Sequence, residues 1–443
     1  MDKGEPPLFQ YTPVGGGTAS VGDAGDPILA SYGNTVYLTG NPKRPATYQP
    51  QGSANYKLYM PLWKSTDQGQ TFASPINIAA ISTPMSGAPV LTPADPARDY
   101  FDKPWFAVDL ANGNLYLAVT WQKPTERTVL FFRSLNGGST WSHQEFRETG
   151  KPLEMPFLSV GSGTIYLFWR TSDPSDPIRI RKSTNQGTSF TLSGQNGVIT
   201  NNPPNDAQIV YGANLLRNSH DDGDPVLAND PIRAPSVFQV AVNTAFNPHH
   251  VYLVYHDRSP DTDADTDILF RWSANGGTTW TTPVRLNNVE AGDQWQPCIA
   301  VRPGGSKLFV GWYDRGHDTF NHRIRVRGMI STITAQNPLT AQSFFDISAE
   351  DFAPVVTGDL DDHTQESPGT FDPVYGGELR LEYSDGACYW IEEYKRQSRF
   401  EDHMGDYDQI TADSNYIYYC WGDNRTRRSG RLQADVRFKR IPW

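Results

Sequence analysis

One eight-residue pattern occurs four times in this chain: STDQGQTF (65–72), SLNGGSTW (134–141), STNQGTSF (183–190) and SANGGTTW (273–280). Recurrence of this kind marks a repeat architecture in which each copy belongs to one supersecondary unit. Each copy follows an alternating apolar run, LYMPLW (58–63), VLFFR (129–133), IRIR (178–181) or DILFRW (267–272), so each reads as a turn at a strand end. In such a turn the Asp or Asn (Asp67, Asn136, Asn185, Asn275) accepts backbone N–H groups. The Gly supplies a positive φ, and the closing aromatic packs back between strands.

A longer repeat precedes these turns. The segments 26–40, 103–121, 155–169, 234–255, 296–312 and 404–421 all read as strand, turn, strand, with Pro27, Pro104, Pro156, Pro235, Pro297 and Gly405 in equivalent places. Helical periodicity is nearly absent, and 38 Gly and 34 Pro punctuate short strands throughout. The expected fold is all-β: one domain over 1–443, a six-bladed β-propeller with four-stranded antiparallel blades and insertions at about 201–231 and 356–402. A seventh blade stays open, because 378–394 reads as a hairpin; LFQYTP (8–13) and QADVRFKRI (433–441) are expected to pair in one closing blade.

Composition excludes several classes. With 37% hydrophobic and 20% charged residues the chain has enough apolar material for a large core. A net charge of −11 argues against a nucleic-acid or anionic-membrane surface. No apolar run approaches the ~18 residues a membrane helix needs, and the start lacks the layout of a signal peptide, which leaves the compartment open. Cys298, Cys388 and Cys420 have no metal-site spacing and read as buried thiols, with one pairing open. DTDADTD (261–267) offers Asp261, Asp263 and Asp265 as hard oxygen ligands for a structural Ca²⁺; solvated loop charge is the alternative. The expectation is that no cofactor is required.

The four turns are identified as Asp-box, or BNR, repeats, and YHDR (255–258), WYDR (312–315) and WGDNR (421–425), with the partial match WRTSD (169–173), resemble bacterial BNR-repeat propellers of the sialidase superfamily. The resemblance covers nearly the whole chain. It implies a sialidase-like propeller with the Asp boxes on the rim, three arginines for the substrate carboxylate, a Tyr nucleophile assisted by a Glu, and an Asp acid/base. Tyr407 opens the last blade at the nucleophile's place, with Asp406 or Asp408 beside it. The family's first arginine, in an R-I-P motif, has no counterpart: that place reads GDAGDP (22–27), and Arg440–Pro442 ends the chain.

Chain direction places the loops before each first strand and after each second strand on one face, opposite the four turns. That face gathers Asp102, Lys103, Asp293, Trp295, His403, Asp406 and Tyr407 with Arg170, Arg258, Arg315, His317 and Arg425. Arginine forks bind carboxylates, and aromatic rings such as Trp295 stack on sugars. The expected function is binding and cleavage of an anionic glycan containing sialic acid or uronate. Hydrolysis and elimination are both open, with Tyr407, Asp406, His403 and His317 as the catalytic candidates. The alternative is a non-catalytic glycan-binding propeller or a component of a larger assembly, in which the recurring Asp-Arg pairs hold blades together.

Overall fold

The computed structural model describes residues 24–42, 58, 60–85, 87–91, 99–171, 178–192, 232–233, 238–258, 265–289, 291–318, 323–352, 382–384, 387–389, 402–403, 408–428 and 431–443. The fold is nearly all β, with six antiparallel sheets in chain order, a six-bladed β-propeller. The chain forms two compact units, Met1–Trp169 with Thr184–Ser189, and Arg170–Ser183 with Phe190–Trp443.

The first sheet runs Ala24–Tyr32, Thr35–Pro42, Pro61–Ser65, Ile76–Asn77. The second runs Tyr100–Val108, Leu115–Gln122, Arg127–Ser134, Trp141–Phe146, and the third Leu153–Gly161, Thr164–Thr171, Arg179–Ser183, Thr191–Leu192. The second sheet departs from the expected four strands: Ser82–Pro84 adds a fifth, parallel to Trp141–Phe146. It follows Ile78–Ile81, a helix of four residues whose cap Asn77 accepts the Ala79 N–H at 3.1 Å.

In the second unit the fourth sheet is Phe238–Asn243, His250–Arg258, Thr266–Ser273, Val284–Arg285, and the fifth is Gln294–Val301, Lys307–Asp314, Arg325–Thr332, Gln342–Asp346. The sixth has three described strands, Gln409–Ala412, Tyr416–Arg428 and Arg431–Pro442. Segment 8–13, expected beside the last of these, lies outside the described residues. In 378–394 the described residues are a hairpin, Glu382–Ser384 with Ala387–Tyr389, which is far short of a blade. Ile232–Arg233 pairs in parallel with Asp402–His403 and so joins the far ends of the two insertions.

Central strands read as unbroken apolar runs because both faces are covered. Leu115–Val119 and Ile165–Phe168 are fully or almost fully buried. Tyr252, Phe270, Val310 and Trp312 pack between the fourth and fifth sheets, and Phe309, Tyr313, Ile417 and Tyr419 between the fifth and sixth. Each side chain buried this way contributes about 1.5–3 kcal/mol.

The four repeated turns share one hydrogen-bond plan. The Ser hydroxyl accepts the Gly N–H at 2.8–2.9 Å in three of them (Ser65–Gly69, Ser134–Gly138, Ser273–Gly277). The Asp or Asn Oδ1 accepts the N–H four residues on, at 2.9–3.0 Å, in all four. Two consecutive residues, not the Gly alone, take positive φ: Gln68 and Gly69, Gly137 and Gly138, Gln186 and Gly187, Gly276 and Gly277. Consecutive left-handed residues turn the chain with the twist that a hairpin needs. The closing Trp141 and Trp280 also donate their indole N–H to Gly138 O and Gly277 O.

A basic residue before the Ser links each of the first three turns to the next. Lys64 Nζ donates to Gly137 O (3.0 Å), Arg133 Nη1 to Gln186 O (2.8 Å) and Lys182 Nζ to Gly276 O (3.2 Å). The accepting residue is the same turn position each time, the first of the two left-handed ones.

Candidate functional site

The first strands of the first, second and fifth sheets begin with a bulge. Lys103, Met155 and Gln296, each directly before a proline, have φ of 50°, 51° and 52°, and pairing slips between Asp102 and Trp105 and between Trp295 and Cys298. A left-handed conformation costs a non-glycine residue roughly 1–2 kcal/mol. In the fifth sheet the bulge aims Gln296 at the start of the sixth.

There the second unit gathers a buried polar centre around Asp408. Asp408 Oδ2 accepts the Tyr419 hydroxyl at 2.6 Å, and Oδ1 is approached by Tyr313 Oη at 3.2 Å and Gln296 Nε2 at 3.3 Å. The Asp408 peptide oxygen accepts Gln239 Nε2 at 2.8 Å, so the first strands of the fourth, fifth and sixth sheets all reach it. Burial disfavours the carboxylate and wins over the hydrogen bonds from Tyr419, Tyr313 and Gln296, which pushes the Asp408 pKa up to about 7. The Gln296 N–H donates to His256 Nδ1 at 3.3 Å.

Around this centre the expected ligand-binding residues are tied to the protein. Arg315 and Asp293 are both fully buried, with Nη1 and Oδ2 3.9 Å apart, and Asp293 Oδ1 accepts the Thr266 N–H and hydroxyl. Trp295, expected as a sugar platform, is fully buried: it stacks on Tyr313 (centroids 5.4 Å apart) and carries the Arg315 guanidinium 5.3 Å from its ring centre. In this arrangement it offers no open ring face. His317 Nε2 lies 3.0 Å from Asp351 Oδ2, and Arg325 grips Asp351 through two nitrogens at 2.7 and 3.1 Å.

The aspartates of WYDR (312–315) and WGDNR (421–425) pair across strands. Asp314 accepts the Trp312 indole N–H at 3.1 Å and faces Arg327 at 4.0 Å, while Asp423 meets Arg437 at 3.3 Å. The partner comes from the neighbouring strand of the same sheet, which is the blade-holding arrangement.

The remaining predicted residues are placed as follows. Asp406 and Tyr407 lie outside the described residues. His403 stands opposite Arg233 in the two-residue parallel ladder. Arg258 ends the second strand of the fourth sheet opposite Thr266, and Arg425 stands opposite Gln433 in the sixth. Arg170 is half-buried at the end of Thr164–Thr171. Asp102 and Lys103 form the bulge of the second sheet, where the Lys103 N–H donates to Asp102 Oδ1 at 2.9 Å. Of the calcium candidates, Asp261 and Asp263 lie outside the described residues, and Asp265 Oδ2 accepts the Gly292 N–H at 2.9 Å. Among the described residues no three metal-ligating side chains come together. Cys298 and Cys420 are free thiols.

Sequence reasoning passed over Asp408 as a centre, along with Gln239 and Tyr419. The available signal was the D-Y-D run at 406–408, whose third residue stands directly before the strand Gln409–Ala412.

No family model and no curated protein matches the sequence. Among solved structures the chain is similar to a protein of unknown function from Dyadobacter fermentans, at a TM-score of 0.47 and 12% identity over 95% of each chain. It is similar also to the NanB sialidase from Streptococcus pneumoniae (TM-score 0.46, 10% identity, 96% of this chain and 69% of that one). A Hadza microbial sialidase gives 0.41 and 15% identity, over 68% of this chain and 52% of that one, so this chain spans about half its length. At these identities the likeness is one of fold alone.

Proposed function

We propose that this protein is a glycan-active propeller that binds an anionic glycan, containing sialic acid or uronate, at the strand starts of its second unit and cleaves it. One observation carries the reading: a buried carboxyl, Asp408, is held near neutral pKa between two tyrosines directly after Asp406 and Tyr407 in the chain. Groups tuned toward neutrality by burial and specific partners concentrate where protons are transferred. Asp408 is buried, so its part is to position; Tyr407, Asp406, His403 and His317 remain the proposed catalytic groups, with Arg258 and Arg425 the proposed carboxylate ligands. Arg170, also in the second unit, is proposed as a further glycan contact. Structural calcium at Asp261, Asp263 and Asp265 is a separate proposal; the catalysis proposed needs no cofactor.

A second reading, a glycan-binding or assembly propeller without catalysis, is favoured by the sealed state of Arg315 and Trp295. Mass spectrometry of products from sialylated and uronate-containing glycans decides between them. A product with an added water marks a hydrolase, and an unsaturated product marks a lyase. Binding without any product supports the second reading.

A further inference from the structure

The Tyr313 hydroxyl has one proton and two acceptors. Its oxygen accepts the Gly422 N–H at 2.9 Å, and its own O–H can be donated to Gly422 O at 3.0 Å or to Asp408 Oδ1 at 3.2 Å. The acceptor follows from the charge on Asp408. An ionised carboxylate is the stronger acceptor and draws the proton to itself. A neutral carboxyl has a proton of its own to donate to Tyr313 Oη, and Tyr313 then donates to Gly422 O, holding both polar groups of that residue. Gly422 lies in the second strand of the sixth sheet, directly before Asp423, which pairs with Arg437, so the hydroxyl ties that strand to the fifth sheet.

From this geometry we infer that Asp408, Tyr313 and Gly422 form a proton-operated latch between the fifth and sixth sheets. With Asp408 neutral, Tyr313 pins the Gly422 carbonyl; with Asp408 ionised, Tyr313 turns away and that carbonyl loses its donor. The inference concerns regulation of the site proposed above, but its geometry stands without any glycan.

The neighbours leave Asp408 as the group that changes charge. Tyr313, from the fifth sheet's second strand, and Tyr419, from the sixth sheet's, have their hydroxyls pushed upward by burial first and by the Asp408 charge second. The thiols of Cys298 and Cys420 are pushed up for the same two reasons. On the fourth-sheet side His256 Nδ1 accepts the Gln296 N–H, and Gln239 and Gln296 carry no charge. Asp423 acts on this centre through Tyr313.

Trp295 stacks on Tyr313 and Trp421 lies 5.6 Å from Tyr419, so tryptophan emission reports on the centre directly. The experiment is a pH titration of emission in the full chain without glycan. The expected result is a one-proton inflection near neutrality that is absent in Asp408→Asn. In Tyr313→Phe, which removes a donor to the charged form, the inflection should move upward by about one pH unit. Absence of the inflection in the parent, its survival in Asp408→Asn, or an unmoved inflection in Tyr313→Phe overturns the latch. Should Asp408→Asn fail to fold, the Tyr313→Phe shift decides. A positive titration with no glycan product retains the latch and removes the catalytic reading; the converse removes the latch alone.

Discussion

Arg315 and Asp408 show how residue type and residue environment part company. Arg315 has the chemistry of a carboxylate ligand, but its buried neighbour Asp293 uses that charge internally. Arg315→Ala should leave the Asp293 carboxylate buried without its guanidinium and cost about 3 kcal/mol, read from the urea midpoint. Unchanged stability with lost glycan binding would return Arg315 to the ligand role. Asp408 makes the opposite prediction with pH. Its carboxyl keeps its proton to about pH 7 in the folded protein, against 3.8 for the ordinary group. The folded state therefore binds more protons through that window, and stability falls as pH rises from one value toward the other. Asp408→Asn, neutral throughout, should gain on the parent between about pH 5 and about pH 8 in denaturant titrations. An equal difference at both ends would show that Asp408 does not titrate there. The sequence displayed these residues but not their facing. Strand alternation assigns faces by parity, and the bulge before Pro297, with Gln296 at φ 52°, shifts that parity where the expected site begins.

At the scale of elements the four turns were the most legible part of the chain. A fixed Ser, Asp or Asn and Gly dictate their hydrogen bonds locally, with no help from the rest of the fold. The cation bridges between turns were not read, although Lys64, Arg133 and Lys182 stand at one motif position, because their acceptors lie 53 to 94 residues away. The fourth copy has Trp272 in that place. Gly187 tests how firmly a turn is seated: its φ is +75°, and an added Cβ would lie 2.6 Å from the Phe131 ring. Gly163 has φ +80° and open space around the same atom. Gly163→Ala should cost only the left-handed backbone, about 1 kcal/mol, and Gly187→Ala about 2–3 kcal/mol, since it also overpacks Phe131. Thermal melting of the two variants separates the terms, and equal losses would mean that the aromatic ring yields freely.

For the whole molecule, six repeated segments sufficed for the six sheets, because each segment carries its own alternation and its own turn. The additions were illegible for the converse reason. Ser82–Pro84 and Ile232–Arg233 are strands of three and two residues, too short for any periodicity, and are defined only by distant partners. Those distant partners also predict how the second unit holds together. With a protease site engineered between Phe352 and Asp402, the cut fragments should elute as one species under native conditions and separate in denaturant, since Gln239, Gln296 and Tyr313 all hold Asp408 across the break. Separation under native conditions would show that chain continuity, not this clasp, keeps the sheets joined.

The same clasp sets an order of events during synthesis. Asp408 meets Gln239 across 169 residues and Gln296 across 112. The fourth and fifth sheets therefore leave the ribosome with two glutamines still without Asp408, whose peptide oxygen and carboxyl they will later meet, and closures of such span form slowly. The interval before the last sheet arrives is when a chaperone has most to shield.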